Sequence, residues 1–227
     1  MNPILVIDCY LDDFGCPAAF APPAEYPHAW VRAAHVPLES VPTSCAGYSA
    51  IVISGSAACV LDETPWSLRI EALIDDAYAA RLPMLGVCYG HQLIAKRLFG
   101  AAARAAQPEV GWYDVRRSER GRASGMLPTD FRCFLSHYDE VYDPGAPNFE
   151  VLASSKACAV QAFRLTDAPV LGVQFHAEFA LDEALELFDL RVAKTPEVVA
   201  DATAMRALAV DTLAVWHELY ARFLARI

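Results

Sequence analysis

The chain has 227 residues, of which 55% are hydrophobic, and its formal net charge is −10 at pH 7. This length allows one domain with a large buried core, and the negative charge argues against binding to nucleic-acid phosphates or anionic membrane surfaces. No stretch approaches the roughly 18 consecutive apolar residues of a membrane-spanning helix, and the first residues are typical of a strand rather than of a cleavable leader. We therefore expect a single cytoplasmic domain over residues 1–227, with no membrane and no nucleic acid among its partners.

The first half of the chain is predicted to alternate between strands and helices. An apolar run over 3–8 predicts a strand, and the loop 12–27 that follows, rich in proline, leads into a helix near Ala29. Pro65 in a first turn and Gly100 directly after a last turn are typical helix boundaries. The elements predicted after Ala29 are a short strand over 36–41, a strand over 50–53, a helix from Thr64 to about Ala80, a strand over 84–87 and a helix over 89–99.

A cysteine between two glycines follows the fourth predicted strand. Gly86 and Gly90 each lie two residues from Cys88, and this spacing lets a strand turn sharply into a helix with the central side chain at the turn. Backbone N–H groups and the helix dipole at such a helix N-terminus favour the thiolate, which is the reactive form. A buried structural cysteine is the alternative, but the second glycine and the polar residues after it favour a nucleophile.

Seven cysteines are spread along the chain without a Cys-x-x-Cys pair. This scatter is typical of a reducing compartment, in which cysteines act as small apolar side chains. Only Cys88 has neighbours that indicate chemistry. The other six, which we expect to be structural, are Cys9, Cys16, Cys45, Cys59, Cys133 and Cys158.

The second half of the chain is predicted to be mainly β up to Glu178 and helical beyond it. The segment 112–161 has strand-like stretches with turns at Pro128 and at 143–145, and a short apolar run over 170–175 predicts a buried strand. This order predicts an α/β fold with a doubly wound, mainly parallel sheet flanked by helices, plus an antiparallel extension. Helices are predicted over 181–193 and 197–226, within a C-terminal helical extension over 179–227.

The last predicted helix carries enough apolar side chains to require a cover. Folding back onto its own domain is one interpretation, and an interface with a second copy or with a partner enzyme is the other. The sequence pattern leaves both open.

A His-x-Glu pair follows the last predicted strand, at the end of the sheet where ligands bind in open α/β folds. His176 supplies an imidazole that exchanges a proton near neutral pH, and Glu178 supplies an acceptor that fixes its tautomer. Alone, such a pair is usually a solvated loop feature. Together with the cysteine turn it predicts a catalytic triad in which Cys88 is the nucleophile, His176 the general base and then acid, and Glu178 the orienting group.

In their order along the chain, these segments resemble the motifs of class I glutamine amidotransferases, the triad-type glutaminases. The resemblance implies a flavodoxin-like α/β fold and hydrolysis of a γ-glutamyl amide through a cysteinyl acyl-enzyme, with release of ammonia or an amine and with no cofactor. The matching segments are Ile53–Ser56, Gly86–Gln92, Glu109–Trp112, Ser136–Asp139 and Gln174–Glu178.

Acyl transfer also needs backbone N–H donors for the oxyanion. Tyr89, directly after the nucleophile, is one candidate donor. The resemblance implies that Gly55 and Ser56, in the loop after the third predicted strand, supply the other. The sequence departs from the family pattern here, because Ser56 and Ala57 replace a glycine and a proline, and Ala177 replaces the usual proline beside the histidine.

Four further positions are predicted to bind substrate. Gln92 lies four residues after Cys88 on the same side of the predicted helix, and the resemblance implies that its amide binds the γ-glutamyl group. Ser136, His137 and Tyr138 match the family segment whose backbone binds the α-amino and α-carboxylate groups of the substrate.

Two acidic residues near these motifs leave alternatives open. Asp139 with His137 lacks further ligands at a recognisable spacing, so no metal site is predicted. Glu109 is either a support for the site or an ordinary exposed carboxylate.

Three functions are compatible with these residues. The favoured one is a glutamine amidotransferase-type hydrolase that releases ammonia for a separately encoded acceptor synthetase, because this chain is too short to include one. The second is a hydrolase of γ-glutamyl peptides that needs no partner, and the third is a non-catalytic binding or regulatory module. The expected substrate is glutamine or a γ-glutamyl compound, and a synthetase or a second copy in a homodimer is the protein partner considered.

Overall fold

A nine-stranded sheet forms the centre of the part of the chain that the computed structural model describes, residues 1–11 and 15–227. Part of the loop predicted over 12–27, namely Asp12, Asp13 and Phe14, lies outside the described residues. The strands, numbered in chain order, are β1 Ile4–Asp8, β2 His28–Arg32, β3 Ala50–Ile53, β4 Met84–Val87, β5 Ala102–Arg117, β6 Phe131–Val141, β7 Phe149–Ser154, β8 Ala162–Leu165 and β9 Val170–Val173. The α-helices are α1 Pro65–Ala79, α2 Tyr89–Phe99, α3 Glu119–Ser124, α4 Leu181–Lys194, α5 Ala202–Arg206 and α6 Leu213–Leu224.

The sheet is mixed, with a parallel half and an antiparallel half. Its strand order is β2-β1-β3-β4-β9-β8-β7-β5-β6; the first five strands are parallel, and each pair from β9 to β6 is antiparallel. The predicted α/β class with helices on the sheet is confirmed, although the antiparallel part is as extensive as the parallel part. Because β3, β4 and β9 are parallel neighbours, the loops after them meet at one edge of the sheet.

Helices cover both faces of the parallel half. Alternate residues of β1 contribute to different clusters, since Leu5 packs with side chains of α1 and α2, whereas Ile4 packs with Trp216 and other side chains of α6. This alternation follows from the period of two along a strand. The doubly wound arrangement is therefore built by one buried strand that presents apolar side chains to both layers.

The predicted boundaries of α1 and α2 agree with the structure. Thr64 caps α1 by accepting a hydrogen bond from the Ser67 N–H at 3.2 Å, and Pro65 occupies the first helical position. Gly100 ends α2 with a φ of 65°, a left-handed conformation that glycine adopts without strain.

Three predicted elements were wrong. The segment near Ala29 is strand β2 rather than a helix, because it pairs in parallel with β1, and tertiary pairing outweighs local propensity. The segment 36–41 contains a 3-10 turn, Leu38–Ser40, instead of a strand; Pro37 before it has no N–H to donate to a neighbouring strand.

The helix predicted over 197–226 is divided into a 3-10 turn, Pro196–Val198, and the helices α5 and α6. Two aspartates account for the division. Asp201 caps α5 by accepting from the Ala204 N–H at 2.9 Å, and Asp211 accepts from the Leu213 N–H at 3.0 Å where α6 begins. Side chains that hydrogen-bond backbone N–H groups in this way favour helix starts over continuous helix.

Across the described ranges, none of the helices has the length and apolar character required to cross a lipid bilayer.

Candidate active site

Cys88 lies at the turn between β4 and α2 in a strained backbone conformation. Its φ of 49° and ψ of −100° are rare for a residue with a side chain, and Cys88 is the N-cap of α2. The two flanking glycines make this turn sterically possible. A Cβ on Gly86 would lie 2.5 Å from the Gly90 backbone, and a Cβ on Gly90 would lie 2.8 Å from the Ile53 Cβ. The predicted sharp turn from strand to helix is thus present.

The segment that carries His176 is fixed beside this turn by backbone hydrogen bonds. The Cys88 N–H donates to the Val173 carbonyl at 2.8 Å, and the His176 N–H donates to the Phe134 carbonyl at 2.9 Å. Phe134 and Phe179 also pack against the His176 ring, with centroid distances of 6.2 and 5.3 Å. The imidazole is therefore buried and held from both sides by aromatic rings.

His176, Glu178 and Cys88 form a connected group. The His176 Nδ1 lies 2.7 Å from the Glu178 Oε1, and the Cys88 side chain is a further hydrogen-bond partner of the ring. Burial alone lowers the pKa of His176, but the Glu178 carboxylate and Cys88 together outweigh burial and raise this pKa to about 10. His176 is consequently an imidazolium at neutral pH, and it stabilises a thiolate at Cys88.

The loop after β3 approaches both reacting groups. A Cβ on Gly55 would lie 2.9 Å from the His176 Cε1 and 3.6 Å from the Cys88 Cβ, so this position has space only for glycine. The Ser54 hydroxyl holds the loop by accepting from the Cys9 N–H at 2.8 Å and donating to the Gly55 carbonyl at 2.9 Å. The sequence pattern did not single out this role of Ser54.

The other two predicted oxyanion residues lie on either side of the turn. Ser56 lines the cavity above Cys88, and its hydroxyl accepts from the Ala58 N–H at 3.0 Å, which stabilises the loop in place of the family's glycine and proline. Tyr89 is the first residue of α2, where the helix itself offers no partner to the backbone N–H. Its side chain packs on Trp66 at 5.6 Å and leaves the N–H at the turn.

Above Cys88 lies a cavity of about 430 Å³. It contains all four residues predicted to bind substrate and Ser56 of the predicted oxyanion loop. The Ser136 hydroxyl is buried there without a hydrogen-bond partner, and the Ser136 carbonyl lies 3.9 Å from the Cys88 Sγ. The lining residues are Ser56, Ala57, Ala58, Cys59, Cys88, Gln92, Arg104, Ser136, His137, Tyr138, Asp139, Arg191 and Thr195.

The amide of Gln92 is held from two sides. Its Nε2 donates to the Asp139 carbonyl at 2.7 Å and to the Gln174 Oε1 at 3.0 Å. Both amide hydrogens are thus used within the protein, so the Gln92 Oε1 is the atom that remains for a ligand. Gln174 was not singled out from the sequence, although a glutamine inside an apolar run is a detectable signal of a buried hydrogen bond.

Glu109 is buried behind the cavity, which excludes the exposed carboxylate considered above. Its Oε2 accepts from Ser155 Oγ and Gln161 Nε2, both at 2.8 Å, and lies 3.2 Å from the His137 Nε2. The His137 Nδ1 in turn lies 3.0 Å from the Asp139 carbonyl. This network fixes the His137 side chain and therefore the course of the neighbouring backbone in β6.

The same network brings together three side chains that can ligate metals. Potential ligand atoms of Glu109, His137 and Cys158 lie within 4.8 Å of one another. However, hydrogen bonds already occupy the Glu109 Oε2, and burial raises the pKa of the Cys158 thiol to about 12. A neutral thiol is a poor metal ligand, so the arrangement fits a hydrogen-bond network better than a metal centre.

The cysteines other than Cys88 lie in surroundings that keep them protonated. Burial raises the pKa of Cys9, Cys16 and Cys133 far above the ordinary value, and it also raises the pKa of Cys45 and Cys59. All seven cysteines are free thiols. These surroundings agree with the expectation that the other six are structural.

Comparison with known proteins identifies relatives of this arrangement. Residues 30–192 match the family model described as Glutamine amidotransferase class-I. Over 125 residues the chain is 38% identical to the first of the subunits of the glutamine-hydrolyzing GMP synthase of Methanococcus aeolicus, an alignment that covers 55% of this chain and 65% of that one. Over 135 residues it is 36% identical to the corresponding protein of Pyrococcus abyssi, with 60% and 69% covered. The chain thus spans about two thirds of the length of these curated relatives.

The fold also resembles a solved structure along nearly its whole length. The crystal structure of a glutamine amidotransferase from Methylobacillus flagellatus superimposes with a TM-score of 0.75 at 24% sequence identity. The superposition covers 99% of this chain and 95% of that chain. At this identity the likeness supports the fold, and it confirms the predicted fold class.

Proposed function

This chain belongs to the class I glutamine amidotransferase family, and on that premise we propose that it hydrolyses the γ-amide of glutamine through a cysteinyl acyl-enzyme at Cys88. The observation that carries the proposal is the buried group of Cys88, His176 and Glu178 beside a cavity. Cys88 is the nucleophile, His176 the general acid and then base, and Glu178 the group that orients the imidazole.

The proposed reaction begins with attack of the Cys88 thiolate on the amide carbon of glutamine. The N–H of Tyr89 and the Gly55–Ser56 loop stabilise the oxyanion that forms. The His176 imidazolium gives its proton to the departing nitrogen, the C–N bond breaks, and ammonia leaves. Neutral His176 then takes a proton from water, the hydroxide adds to the thioester, and glutamate leaves as the thiolate and imidazolium are restored.

We propose that the ammonia passes to a partner synthetase. The support comes from the relatives, which are named as one of the subunits of a glutamine-hydrolyzing GMP synthase. We propose further that residues 1–227 form one domain, with 179–227 as a helical extension packed on it, and that the scattered free thiols reflect a reducing, cytoplasmic location.

Glutamate release from glutamine tests the proposal, with and without candidate synthetases. We expect Cys88→Ala to lower kcat by about 1,000-fold or more, because removal of a nucleophile leaves only binding and oxyanion stabilisation. Cys45→Ala, which removes a thiol that is not part of the cavity wall, is the matched control and should retain activity. The proposal fails if the wild-type protein releases no more glutamate than Cys88→Ala in any mixture.

A glutamine-analogue alkylating agent gives an independent check. It should label Cys88 alone among the seven cysteines, since the other thiols are protonated. Labelling spread evenly over several thiols would contradict a specially activated Cys88.

One observation favours hydrolysis of γ-glutamyl peptides as a second candidate function. A neighbouring cavity of about 860 Å³ shares Tyr138 and Thr195 with the cavity above Cys88, so a substituent on the γ-nitrogen has adjoining space. Comparison of kcat/KM for glutamine and for γ-glutamyl dipeptides separates the two. A higher value for a dipeptide, without any added synthetase, would favour the second function.

A further inference from the structure

Arg191 lies on the buried face of α4 and reaches the cavity above Cys88. Ala184, Leu187 and Phe188 form the apolar face of this helix, and Arg191 follows Leu187 by four residues and Phe188 by three. Residues at these spacings share one face of a helix. The packing of α4 on the aromatic cluster around Phe134 therefore directs the Arg191 side chain inward.

The guanidinium of Arg191 has an unsatisfied donor. Its Nε is buried without a hydrogen-bond partner, and Arg191 has no ion pair within the described parts of the chain. A buried N–H without an acceptor costs free energy that a bound ligand would recover. Since Arg191 is an end-of-helix cation, interaction with the helix dipole is a competing explanation.

Lys194 distinguishes these explanations because it lies in the same last turn of α4. It has the same charge and the same relation to the helix dipole, but it is exposed and is not part of the cavity wall. An effect that depends on the dipole should appear at both residues, whereas ligand binding should depend on Arg191.

The charges around the cavity favour an anion. Arg104 and Arg191 both line it, and the carboxylate in its wall, Asp139, is already paired with Arg104 at 3.0 Å. Arg104 also lies over the Tyr138 ring, 5.5 Å from its centroid. One positive charge thus remains without a counter-charge in the wall, in a chain whose net charge is −10.

We propose that Arg191 binds a carboxylate of the substrate and so makes the site specific for carboxylate-bearing amides. A guanidinium matches a carboxylate because its planar donors form two parallel hydrogen bonds. Two carboxylates meet this description, the α-carboxylate of the γ-glutamyl group and a carboxylate on the departing amine. The inference rests on the proposed function, because it concerns the substrate of the same site.

Steady-state kinetics of Arg191→Gln and Lys194→Gln test this inference. For glutamine we expect Arg191→Gln to raise KM by about tenfold or more with kcat within about threefold, because a charged hydrogen bond to the bound substrate is lost. Lys194→Gln should change neither value appreciably. Arg191→Lys, which keeps the charge without the planar fork, should fall between the wild type and Arg191→Gln.

Substrates that lack one carboxylate identify which group Arg191 binds. 4-Aminobutanamide is glutamine without the α-carboxylate, so Arg191→Gln should leave its hydrolysis unchanged if Arg191 binds that carboxylate. If Arg191 binds a carboxylate on the amine instead, the variant should spare glutamine and γ-glutamylmethylamide but weaken γ-glutamylglycine. The inference is overturned if substrates with and without carboxylates are affected equally, or if Lys194→Gln has the same effect.

Binding of L-glutamate, measured by calorimetry, separates this inference from the proposed function. Glutamate carries the α-carboxylate and needs no hydrolysis to bind, so Arg191→Gln should weaken its binding about tenfold or more even in a protein without activity. If the wild type hydrolyses none of the amides, the proposed function fails while this binding result still decides the role of Arg191. Equal glutamate affinity of wild type and Arg191→Gln, together with unchanged amide kinetics, would exclude the role.

Discussion

At the scale of single residues, His176 experiences opposing influences. Its burial between Phe134 and Phe179 disfavours the imidazolium, whereas Glu178, 2.7 Å from its Nδ1, and Cys88 favour it. The second influence is larger, and the pKa of His176 rises to about 10. In the proposed mechanism this ensures that the proton needed by the departing nitrogen is already on the ring at neutral pH.

Replacement of Glu178 should therefore change the pH dependence of glutamine hydrolysis. In the wild type, kcat/KM should fall as the pH rises through about 10, because His176 then loses the proton that it donates. In Glu178→Gln the carboxylate that raises the pKa is gone and burial dominates, so the alkaline fall should move to lower pH by about one unit or more. A profile of kcat/KM against pH for both proteins checks this; an unchanged alkaline limb would contradict the role of Glu178.

The sequence predicts some of these residues better than others. Cys88 and His176 stand out because glycines and a buried strand place them at chain turns, and both are now found in one hydrogen-bonded group. Gln174 and Arg191 were not predicted, since their partners lie 82 residues away or belong to a ligand. Contacts that depend on the packing of distant segments leave little trace in local spacing.

At the scale of elements, the turn from β4 to α2 brings strand, helix and neighbouring loop to their closest approach. Gly86 and Gly90 pack directly against backbone, whereas Gly100 at the other end of α2 has open space around it. The same residue type thus serves two purposes in one helix. Gly90 allows close packing, and Gly100 allows a left-handed turn with a φ of 65°.

These two glycines should respond differently to alanine. Gly90→Ala forces a Cβ into Ile53 and should lower the free energy of unfolding by about 3 kcal/mol, as overpacking does. Gly100→Ala meets no neighbour and should cost only about 1 kcal/mol for its left-handed backbone. Chemical denaturation of both variants measures the difference; equal losses would show that the close approach at Gly90 is not a steric constraint.

The elements that were predicted incorrectly share a cause. β2 becomes a strand through its pairing with β1, and α5 and α6 are separated by aspartates that also occur within helices in other proteins. In contrast, α1 and α2 were predicted well because proline, glycine and a capping threonine mark their ends locally. Local signals therefore determined how accurately each boundary was predicted.

At the scale of the whole molecule, α6 covers one face of the sheet far from its position in sequence. Trp216 is fully buried, stacks on Phe20 with centroids 5.6 Å apart, and donates from its Nε1 to the Ala19 carbonyl at 2.7 Å. The C-terminal helix thus folds back onto the segment that follows β1. This contact joins the two ends of the chain across almost 200 residues.

Trp216→Ala should accordingly destabilise the entire fold. We expect a loss of about 3 to 5 kcal/mol in the free energy of unfolding, as for other buried aromatic side chains reduced to alanine. Val210→Ala, at an exposed position just before α6, should change it by no more than about 0.5 kcal/mol. Thermal and urea unfolding measure both; a small effect of Trp216→Ala would show that α6 is only loosely attached.

A glutamyl thioester on Cys88 is the intermediate on which the whole mechanism depends, and mass spectrometry of the protein quenched in acid during turnover of glutamine detects it. We predict one glutamyl group bound as a thioester, located on the peptide that contains Cys88 and absent from Cys88→Ala. This adduct should disappear as glutamine is exhausted. Glutamate release by Cys88→Ala at the wild-type rate, or a glutamyl adduct located on another residue, would contradict the mechanism.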